Sequence, residues 1–421
     1  MQYRKFIIAL MAALFTVLFT VGALASHKEE KIAKPDSQEV RIGIREGRSN
    51  VSFLGPQGLT VYRNGKEWKK IPANTPVYVS IQGKQLAVNG TAGAGNVILR
   101  PTKRGGAVKI TDGYAYRGAI EVIPSPNVWG LTVVNVVPLE QYLYGVVGKE
   151  MSPSWNMEAL KAQAVAARTY AVAHKNYFQK RGYDMADDTR SQVYSGLNGE
   201  APSIIQAVNA TSGEILTYQG KPIQALFHSN GGGWTENSEN VWGSSIAYLR
   251  GVSDKTQETP AYRWSVTTTP EQLAEKLNAA SKGVGQVQSI VLSPLTKRPM
   301  SVPDRGVSGR VLTLTIKGTK GQVTLTGNGF QAIFGLKSTL FDFTVATGLP
   351  PDPDVTKPKR ATEFKVRPAQ KLMIYGFGWG HGLGMSQYGA NEMAKEHSQD
   401  DTYYRQILQH YYTGTKIERV K

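Results

Sequence analysis

The sequence predicts an α+β fold: a β-rich N-terminal region leads into a helix-turn-helix core with β-hairpins and a cleft, and a small α+β subdomain is inserted. Alternating apolar residues with turn dipeptides occupy residues 39–135, helical periodicity begins at residue 136, and helix and strand patterns mix over residues 264–347. The 421 residues, of which 41% are hydrophobic and 19% charged, are enough to bury a large core.

Residues 1–25 have the pattern of an export signal. Arg4 and Lys5 precede an apolar run that ends in a small-residue Ala-Leu-Ala site. The run is also long enough for an uncleaved membrane anchor, so a signal peptide and an anchor remain alternatives. Either one predicts that the rest of the chain lies in the extracytoplasmic cell envelope. Residues 26–38 are polar and are expected to form a tether.

The composition narrows the classes of function. The chain has no cysteine, which excludes a disulfide framework, a Cys-ligated zinc and a thiol nucleophile. Its formal net charge of +17 favours an anionic envelope partner for an exported protein. No compact Lys/Arg run is interleaved with aromatic residues, so we expect no nucleic-acid partner, and no motif requires a cofactor.

The β-rich region, residues 39–135, carries the signals of antiparallel strands. Residues 40–44 alternate in polarity, and the turn dipeptides Asn64-Gly65 and Asn89-Gly90 separate apolar stretches. We expect a small sheet or partial barrel that serves as a scaffold; a glycan-binding face is the alternative.

Two helices are predicted next. Pro138 suits the first position of a short helix, with Gly148 loosening the backbone near its end and Glu150 just beyond. Asn156 is a suitable N-cap for a longer, alanine-rich helix that we expect to run to about Lys180. The small side chains of this helix let other backbone approach closely, which indicates that it is buried.

Polar side chains within a predicted buried core require a structural or functional explanation. Gln163 and Arg168 lie in the alanine-rich helix, and Gln192 lies in a polar loop that follows it. His228 ends a predicted strand just before three consecutive glycines, which indicate tight backbone geometry or close approach of a ligand.

A second glycine-rich stretch, residues 376–389, surrounds Trp379, His381 and Gln387. It lacks the G-x-G-x-x-G spacing of a dinucleotide site, so we interpret it as the wall of a cleft. There Trp379 could stack on a sugar and His381 could hydrogen-bond it; a merely structural turn is the alternative.

Three further segments complete the predicted organisation. Residues 264–347 form the inserted subdomain, residues 348–363 a proline-rich linker, and residues 364–421 the C-terminal part of the core.

Several long motifs of this chain resemble one family. The run from Gly145 to Ala171, together with DTRSQVYSG, FHSNGGGWTENSENVWG and GFGWGHGLGMSQYGA, is similar to the stage II sporulation protein D family, also called the amidase-enhancer family. The motifs occur in the family's order and span residues from about 136 to 390, with the catalytic core beginning in residues 136–263. The resemblance implies a lytic transglycosylase that cuts peptidoglycan glycan strands already stripped of their peptides.

The resemblance also implies roles for individual residues. It places the family's catalytic glutamate at Glu150. Substrate-binding residues follow from the resemblance together with the polar and aromatic cleft positions described above. They are Gln163, Arg168, Gln192, His228, Trp379, His381 and Gln387. Arg168 would bind the lactyl carboxylate of muramic acid or orient the acid.

The chemistry of Glu150 agrees with this role. A glycoside hydrolase normally needs two carboxyl groups, whereas a lytic transglycosylase can manage with one, because the C6 hydroxyl of the muramic sugar is the nucleophile and a 1,6-anhydro ring is the product. One glutamate can donate and later accept a proton if its pKa is raised. The helix C-terminus and apolar neighbours would raise it.

Two alternatives accompany this hypothesis. The protein could be a non-catalytic, wall-binding enhancer of an N-acetylmuramoyl-L-alanine amidase, with the amidase and other wall proteins as partners. A zinc held by His228, His381 and an acid such as Glu236 is a less favoured alternative, and we expect no bound metal.

Overall fold

The computed structural model describes residues 39–345 and 362–420 of the chain. Strands dominate the first hundred of these residues. The predicted export signal, the tether and all but the end of the proline-rich linker lie outside the described residues. The strands before the first helix are β1 (Glu39–Arg48), β2 (Asn50–Leu54), β3 (Leu59–Arg63), β4 (Lys66–Ile71), β5 (Val77–Gln82), β6 (Gln85–Val88), β7 (Thr91–Gly93), β8 (Val97–Pro101), β9 (Val108–Ile110), β10 (Ala115–Tyr116), β11 (Ala119–Pro124) and β12 (Leu131–Pro138).

These strands form two sheets. One has the order β1-β12-β11-β8-β3-β4, and the other has the order β10-β9-β2-β5-β6-β7. Their alternating apolar residues, among them Ile42, Phe53 and Leu99, are fully buried in one core. Asn64-Gly65 and Asn89-Gly90 both have positive φ at both residues, as a tight hairpin turn of the primed type requires.

Two helices follow directly: α1 (Leu139–Glu150) and α2 (Met157–Ala173). The Asn156 side chain accepts a hydrogen bond from the Glu158 N–H and caps α2, as predicted. The predicted extension of α2 to Lys180 is wrong. The chain instead leaves the helix so that β13 (Met185–Ala186) can pair in parallel with β1.

Close backbone contact fixes the position of α1. A Cβ added at Gly145 would lie 2.7 Å from the Gly196 carbonyl oxygen, and one at Gly148 would lie 1.8 Å from that of Gly199. The sequence suggested that Gly148 loosens the backbone, and in the structure it does not. The helix continues through it, because only glycine allows the 196–199 segment to approach this closely.

The remaining elements of the chain alternate between helices and short strands. In order they are α3 (Pro202–Ala210), β14 (Glu214–Tyr218), β15 (Lys221–Pro222), β16 (Phe227–His228), α4 (Ser238–Trp242), β17 (Arg263–Thr268), α5 (Pro270–Ala279), β18 (Val287–Val291), β19 (Thr313–Gly318), β20 (Gly321–Thr326), α6 (Gly327–Phe334), β21 (Phe341–Thr344), β22 (Glu363–Lys365), β23 (Leu372–Phe377), β24 (Met385–Ser386), α7 (Gln387–Glu396), α8 (Tyr404–Tyr411) and β25 (Lys416–Arg419).

A second hydrophobic core lies in the inserted region. It is built on the sheets β17-β23-β21 and β20-β19-β18-β22, and it buries Trp264, Ile290 and Phe330. β22 and β23, which follow the proline-rich segment, pair with strands of this region. With helices and sheets in both cores, the predicted α+β class is confirmed. Within the described residues, no helix combines the length and apolarity that crossing a membrane demands.

A buried ion pair joins the helices of the first core. The Arg168 guanidinium, 1% exposed, makes two hydrogen bonds of 2.7 Å to the Glu140 carboxylate of α1. It also donates to the Val208 carbonyl oxygen at the end of α3 and to the Glu214 carbonyl oxygen at the start of β14. Arg168 thus links four elements, which explains a charged residue in an alanine-rich helix.

We expect the substitution Arg168→Ala to lower the free energy of unfolding by about 3–5 kcal/mol, because it leaves the Glu140 carboxylate without its partner. Chemical denaturation measures this loss. Arg190→Ala is the matched control, because Arg190 pairs with Asp188 on the surface, 2.9 Å away, and such pairs contribute about 1 kcal/mol or less. Equal losses for the two variants would show that the buried pair does not hold the helices together.

Candidate active site

Glu150 is the last residue of α1 and opens into a groove of about 370 Å³. We call this the Glu150 groove. Because the contact between Gly148 and Gly199 holds the end of the helix, the carboxylate has a defined position. The residues that line the groove are Gly148, Lys149, Glu150, Met151, Ser152, Trp155, Ser229, Gln387 and Tyr388.

Two donors hold the Glu150 carboxylate. The Val193 backbone N–H donates to Oε1 at 3.3 Å, and the Gln387 side-chain amide donates to Oε2 at 3.2 Å. Gln387 opens α7, whose N-cap is Ser386. The site therefore combines the end of one helix, a loop and the start of a distant helix.

Burial is the main influence on the protonation of Glu150. It raises the pKa of this carboxyl above its usual value of 4.5, and the hydrogen bonds from Gln387 and Val193 offset part of the rise. A proton is thus retained to higher pH than on an exposed glutamate, as a general acid requires.

The structure brings Gln163 to this cluster and Gln192 beneath it. The Gln163 side chain is fully buried, with its carbonyl oxygen 3.5 Å from the Gln387 amide nitrogen. Gln192 is also buried, accepts from the Tyr142 hydroxyl at 3.3 Å and donates to a backbone carbonyl of α2. Gln192 is therefore bound within the protein and is not among the residues that line the Glu150 groove.

An aromatic wall of the groove was not predicted. The rings of Trp155 and Tyr388 pack with centroids 4.8 Å apart, and both residues line the groove. The Tyr388 N–H donates to the Ser229 carbonyl oxygen at 3.0 Å, which connects this wall to the segment after His228. The only sequence signal for Tyr388 was its place directly after Gln387.

His228, which is buried, and His381, which is half-buried, form a pair of their own, with ring centroids 5.3 Å apart. His381 accepts from the Leu383 N–H at Nδ1, so its Nε2 donates to the Phe227 carbonyl oxygen. Burial, with the nearby Arg310 guanidinium, lowers the pKa of His381 to about 4. Burial likewise lowers the pKa of His228 well below its usual value. Both rings are neutral near pH 7, and neither lines the Glu150 groove.

Trp379 lies on the surface and is not among the residues that line the Glu150 groove. Its ring is 49% exposed, and the Lys337 ammonium lies 4.6 Å from the ring centroid. Its backbone exchanges two hydrogen bonds with Asn230. Arg168 is not brought to the groove either, because its buried guanidinium is bound to Glu140.

The glycine-rich loops beside the site are held by buried polar residues that the sequence did not single out. Asp254, 2% exposed, accepts from the Gly231 N–H at 2.9 Å and from the Tyr411 hydroxyl at 2.7 Å. From the inserted region, Arg310 donates to the Gly380 carbonyl oxygen at 3.0 Å, and Arg298 donates to that of Gly232.

Two of the three ligands of the zinc alternative, His381 and Glu236, are already bound within the protein. The Glu236 carboxylate accepts from the Val307 and Ser308 N–H groups, and both nitrogens of His381 are in use. In residues 39–345 and 362–420, no cluster of His, Asp and Glu side chains is arranged to hold a metal ion.

Comparison with known proteins identifies the family. A family model described as Stage II sporulation protein matches residues 128–218, and one for a domain of unknown function matches residues 237–384. Stage II sporulation protein D of Bacillus subtilis (strain 168) is 33% identical over 300 residues, which cover 68% of this chain and 75% of the relative. This chain belongs to the stage II sporulation protein D family.

Two further relatives show how far the similarity extends. An uncharacterized protein of Brachyspira hyodysenteriae is 31% identical over 383 residues, which cover 90% of this chain and 92% of the relative. The Amidase enhancer of Bacillus subtilis is 32% identical over 326 residues, covering 73% of this chain but only 44% of that longer protein.

We expect Glu150→Gln to stabilise the protein at neutral pH. Because the folded-state pKa of Glu150 is raised, the wild type loses stability as the pH rises from 4.5 through that pKa, whereas the uncharged glutamine does not. The stability difference, measured by chemical denaturation, should therefore grow with pH above 4.5 and vanish below it. Glu67→Gln, at an exposed carboxyl on β4, is the control, and a pH-independent difference for Glu150→Gln would contradict the assigned burial.

Proposed function

We propose that this protein is a lytic transglycosylase that cleaves peptide-stripped glycan strands of peptidoglycan and leaves 1,6-anhydro-muramic ends. One observation carries the proposal. Among the residues that line the Glu150 groove, Glu150 is the only carboxylate, and its pKa is raised. A hydrolase would need a second carboxyl group about 5–9.5 Å away, to attack the sugar or to activate water.

A single carboxyl group suffices when the substrate supplies the nucleophile. Protonated Glu150 donates its proton to the departing glycosidic oxygen, and its carboxylate then accepts the proton of the muramic C6 hydroxyl as that oxygen closes the anhydro ring. The hydrogen bonds from Val193 and Gln387 orient the carboxyl group and stabilise the carboxylate between these steps.

Other groove residues fit a sugar chain. The packed rings of Trp155 and Tyr388 offer an apolar face for sugar C–H groups, while Gln387 and the Ser229 backbone offer polar contacts. Lys149 is exposed on the groove beside Glu150 and is placed to attract a lactyl carboxylate, the role that the sequence suggested for Arg168.

The other expected site residues act through the structure in this proposal. Gln163 and Gln192 support Gln387 and the Val193 loop, and the His228–His381 pair supports the turn beside the groove. Trp379 remains a candidate for a more distant sugar of the strand, because its ring is exposed.

Location, domains and biological role are part of the same proposal. We place the protein in the extracytoplasmic envelope, secreted or anchored through its N-terminus, with peptidoglycan as its main partner. The catalytic unit would combine residues 136–263 with the C-terminal part of the chain around the inserted region. The family name supports a role in sporulation, and the similarity to the Amidase enhancer supports a role at the cell wall.

We expect Glu150→Gln to reduce release of anhydro-ended products by about 10²–10⁴-fold, because glutamine has no transferable proton. Mass spectrometry of products from peptide-stripped strands measures this, with strand binding assayed in parallel. Wild-type activity should also fall as the pH rises through the raised pKa of Glu150, since the acid must be protonated. Glu67→Gln is the control, and wild-type turnover by Glu150→Gln would contradict the assignment.

The enzyme should release more product from peptide-stripped strands than from intact peptidoglycan, because stripping exposes lactyl carboxylates to a chain of net charge +17. Release of soluble fragments is compared with and without prior amidase treatment. Lys149→Gln should weaken the preference, while Lys84→Gln, at an exposed position of the β-rich region, should leave it unchanged. Equal release from both substrates would refute the preference.

The second candidate is a non-catalytic enhancer of an amidase. The similarity to the Amidase enhancer of Bacillus subtilis favours it. Only the transglycosylase needs the Glu150 carboxyl group as an acid. If the Glu150→Gln variant stimulates a wall amidase and the wild type forms no anhydro product, the enhancer function is supported.

A further inference from the structure

The turn between β11 and β12 exposes two neighbouring apolar residues. Val128 is 50% exposed and Trp129 is 72% exposed. Tyr177, in the segment that follows α2, is 54% exposed. Contiguous exposed apolar side chains, such as the neighbouring Val128 and Trp129, mark an interaction site more often than scattered ones do.

Contacts join three segments into one surface here. The Asn127 side chain donates to the Lys180 carbonyl oxygen at 3.1 Å. On the other side, the Gly47 N–H donates to the Ser125 hydroxyl at 3.4 Å, and a Cβ added at Gly47 would lie 3.3 Å from Val128. We call the surface formed by residues 46–50, 124–130 and 174–182 the tip patch.

The tip patch has a net positive charge. Its basic residues are Arg48, Lys175, Lys180 and Arg181, and its one acidic residue is Glu46, which pairs with Arg181 at 3.0 Å. Arg48, Lys175 and Lys180 are exposed and lie in the same three segments as the apolar residues. His174, in the same patch, adds no charge near neutral pH, because burial lowers its pKa.

We propose that the tip patch docks on the surface of an anionic phospholipid bilayer. Tryptophan and tyrosine are the residues that favour the bilayer interface, and the hairpin turn can insert Trp129 without disturbing the sheet behind it. The surrounding cations would then lie at the level of anionic headgroups, where each contributes roughly fivefold to the affinity. A glycan could stack on the Trp129 ring, but it offers no apolar layer for the aliphatic side chain of Val128 to enter.

The inference is independent of the proposed catalytic role of Glu150.

The absence of cysteine allows a site-specific test on the full chain. A single cysteine introduced by Val128→Cys, which leaves Trp129 in place, carries an environment-sensitive fluorophore. Trp68→Cys is the matched control, because Trp68 is also exposed but lies on the edge strand β4. Each labelled protein is reconstituted into vesicles of phosphatidylcholine alone or mixed with phosphatidylglycerol, with and without brominated acyl chains.

We expect the probe at 128, and not the probe at 68, to shift its emission to the blue and to be quenched by brominated lipid in the anionic vesicles. Adding Lys175→Glu and Lys180→Glu should lower the ratio of docked to undocked protein by about 25-fold or more, because two attractive charges are lost. Trp129→Ala should also reduce quenching at 128.

Three outcomes would overturn the inference. They are equal quenching at positions 128 and 68, equal quenching in neutral and anionic vesicles, and a response of the probe at 128 to peptide-stripped glycan strands or to an added wall protein but not to lipid. Catalytic activity need not be measured, so failure of this inference and failure of the proposed function are distinguishable.

Discussion

One hydrogen bond joins the two parts of the candidate site. The Gln387 amide donates to the Glu150 carboxylate across 237 positions of sequence. It can form only because α1 is held by the contact between Gly148 and Gly199, and because Ser386 caps α7 so that Gln387 begins that helix. The two helix ends meet at the groove, and the loop that carries Val193 donates the second hydrogen bond to Glu150.

The inserted region contributes to this arrangement although none of its residues lines the groove. Its buried arginines Arg298 and Arg310 donate to carbonyl oxygens of the two glycine-rich loops, and Asp254 holds the Gly231 N–H from the opposite direction. Glycines are needed in these loops because side chains would collide: a Cβ on Gly382 would lie 2.2 Å from Arg310 Nε. The insertion therefore has a structural reason to accompany the site.

Stability and the proposed chemistry make opposite demands on the two acidic residues of α1. Glu140 is neutralised by Arg168 and contributes to the packing of four elements. Glu150 has no basic partner in the described residues, and burial raises its pKa, which costs stability at neutral pH but retains a proton. A cation at the position of Arg168 would remove that proton if it faced Glu150. The structure separates the two, because Arg168 binds Glu140 in the first turn of α1 whereas Glu150 is the last residue of that helix.

The α+β class, the two Asn-Gly turns and the N-cap of α2 could be predicted from the sequence. They depend on local periodicity and on the conformational preferences of single residues. The motifs of the sequence also indicated the family and pointed to Glu150 and Gln387, which the structure brings into contact. The tertiary structure alone decided the end of α2, the partner of Arg168 and the aromatic wall of Trp155 and Tyr388. Each of these depends on contacts between segments that are far apart in the chain, and no pattern within a window of sequence records which face of a helix such a contact will cover.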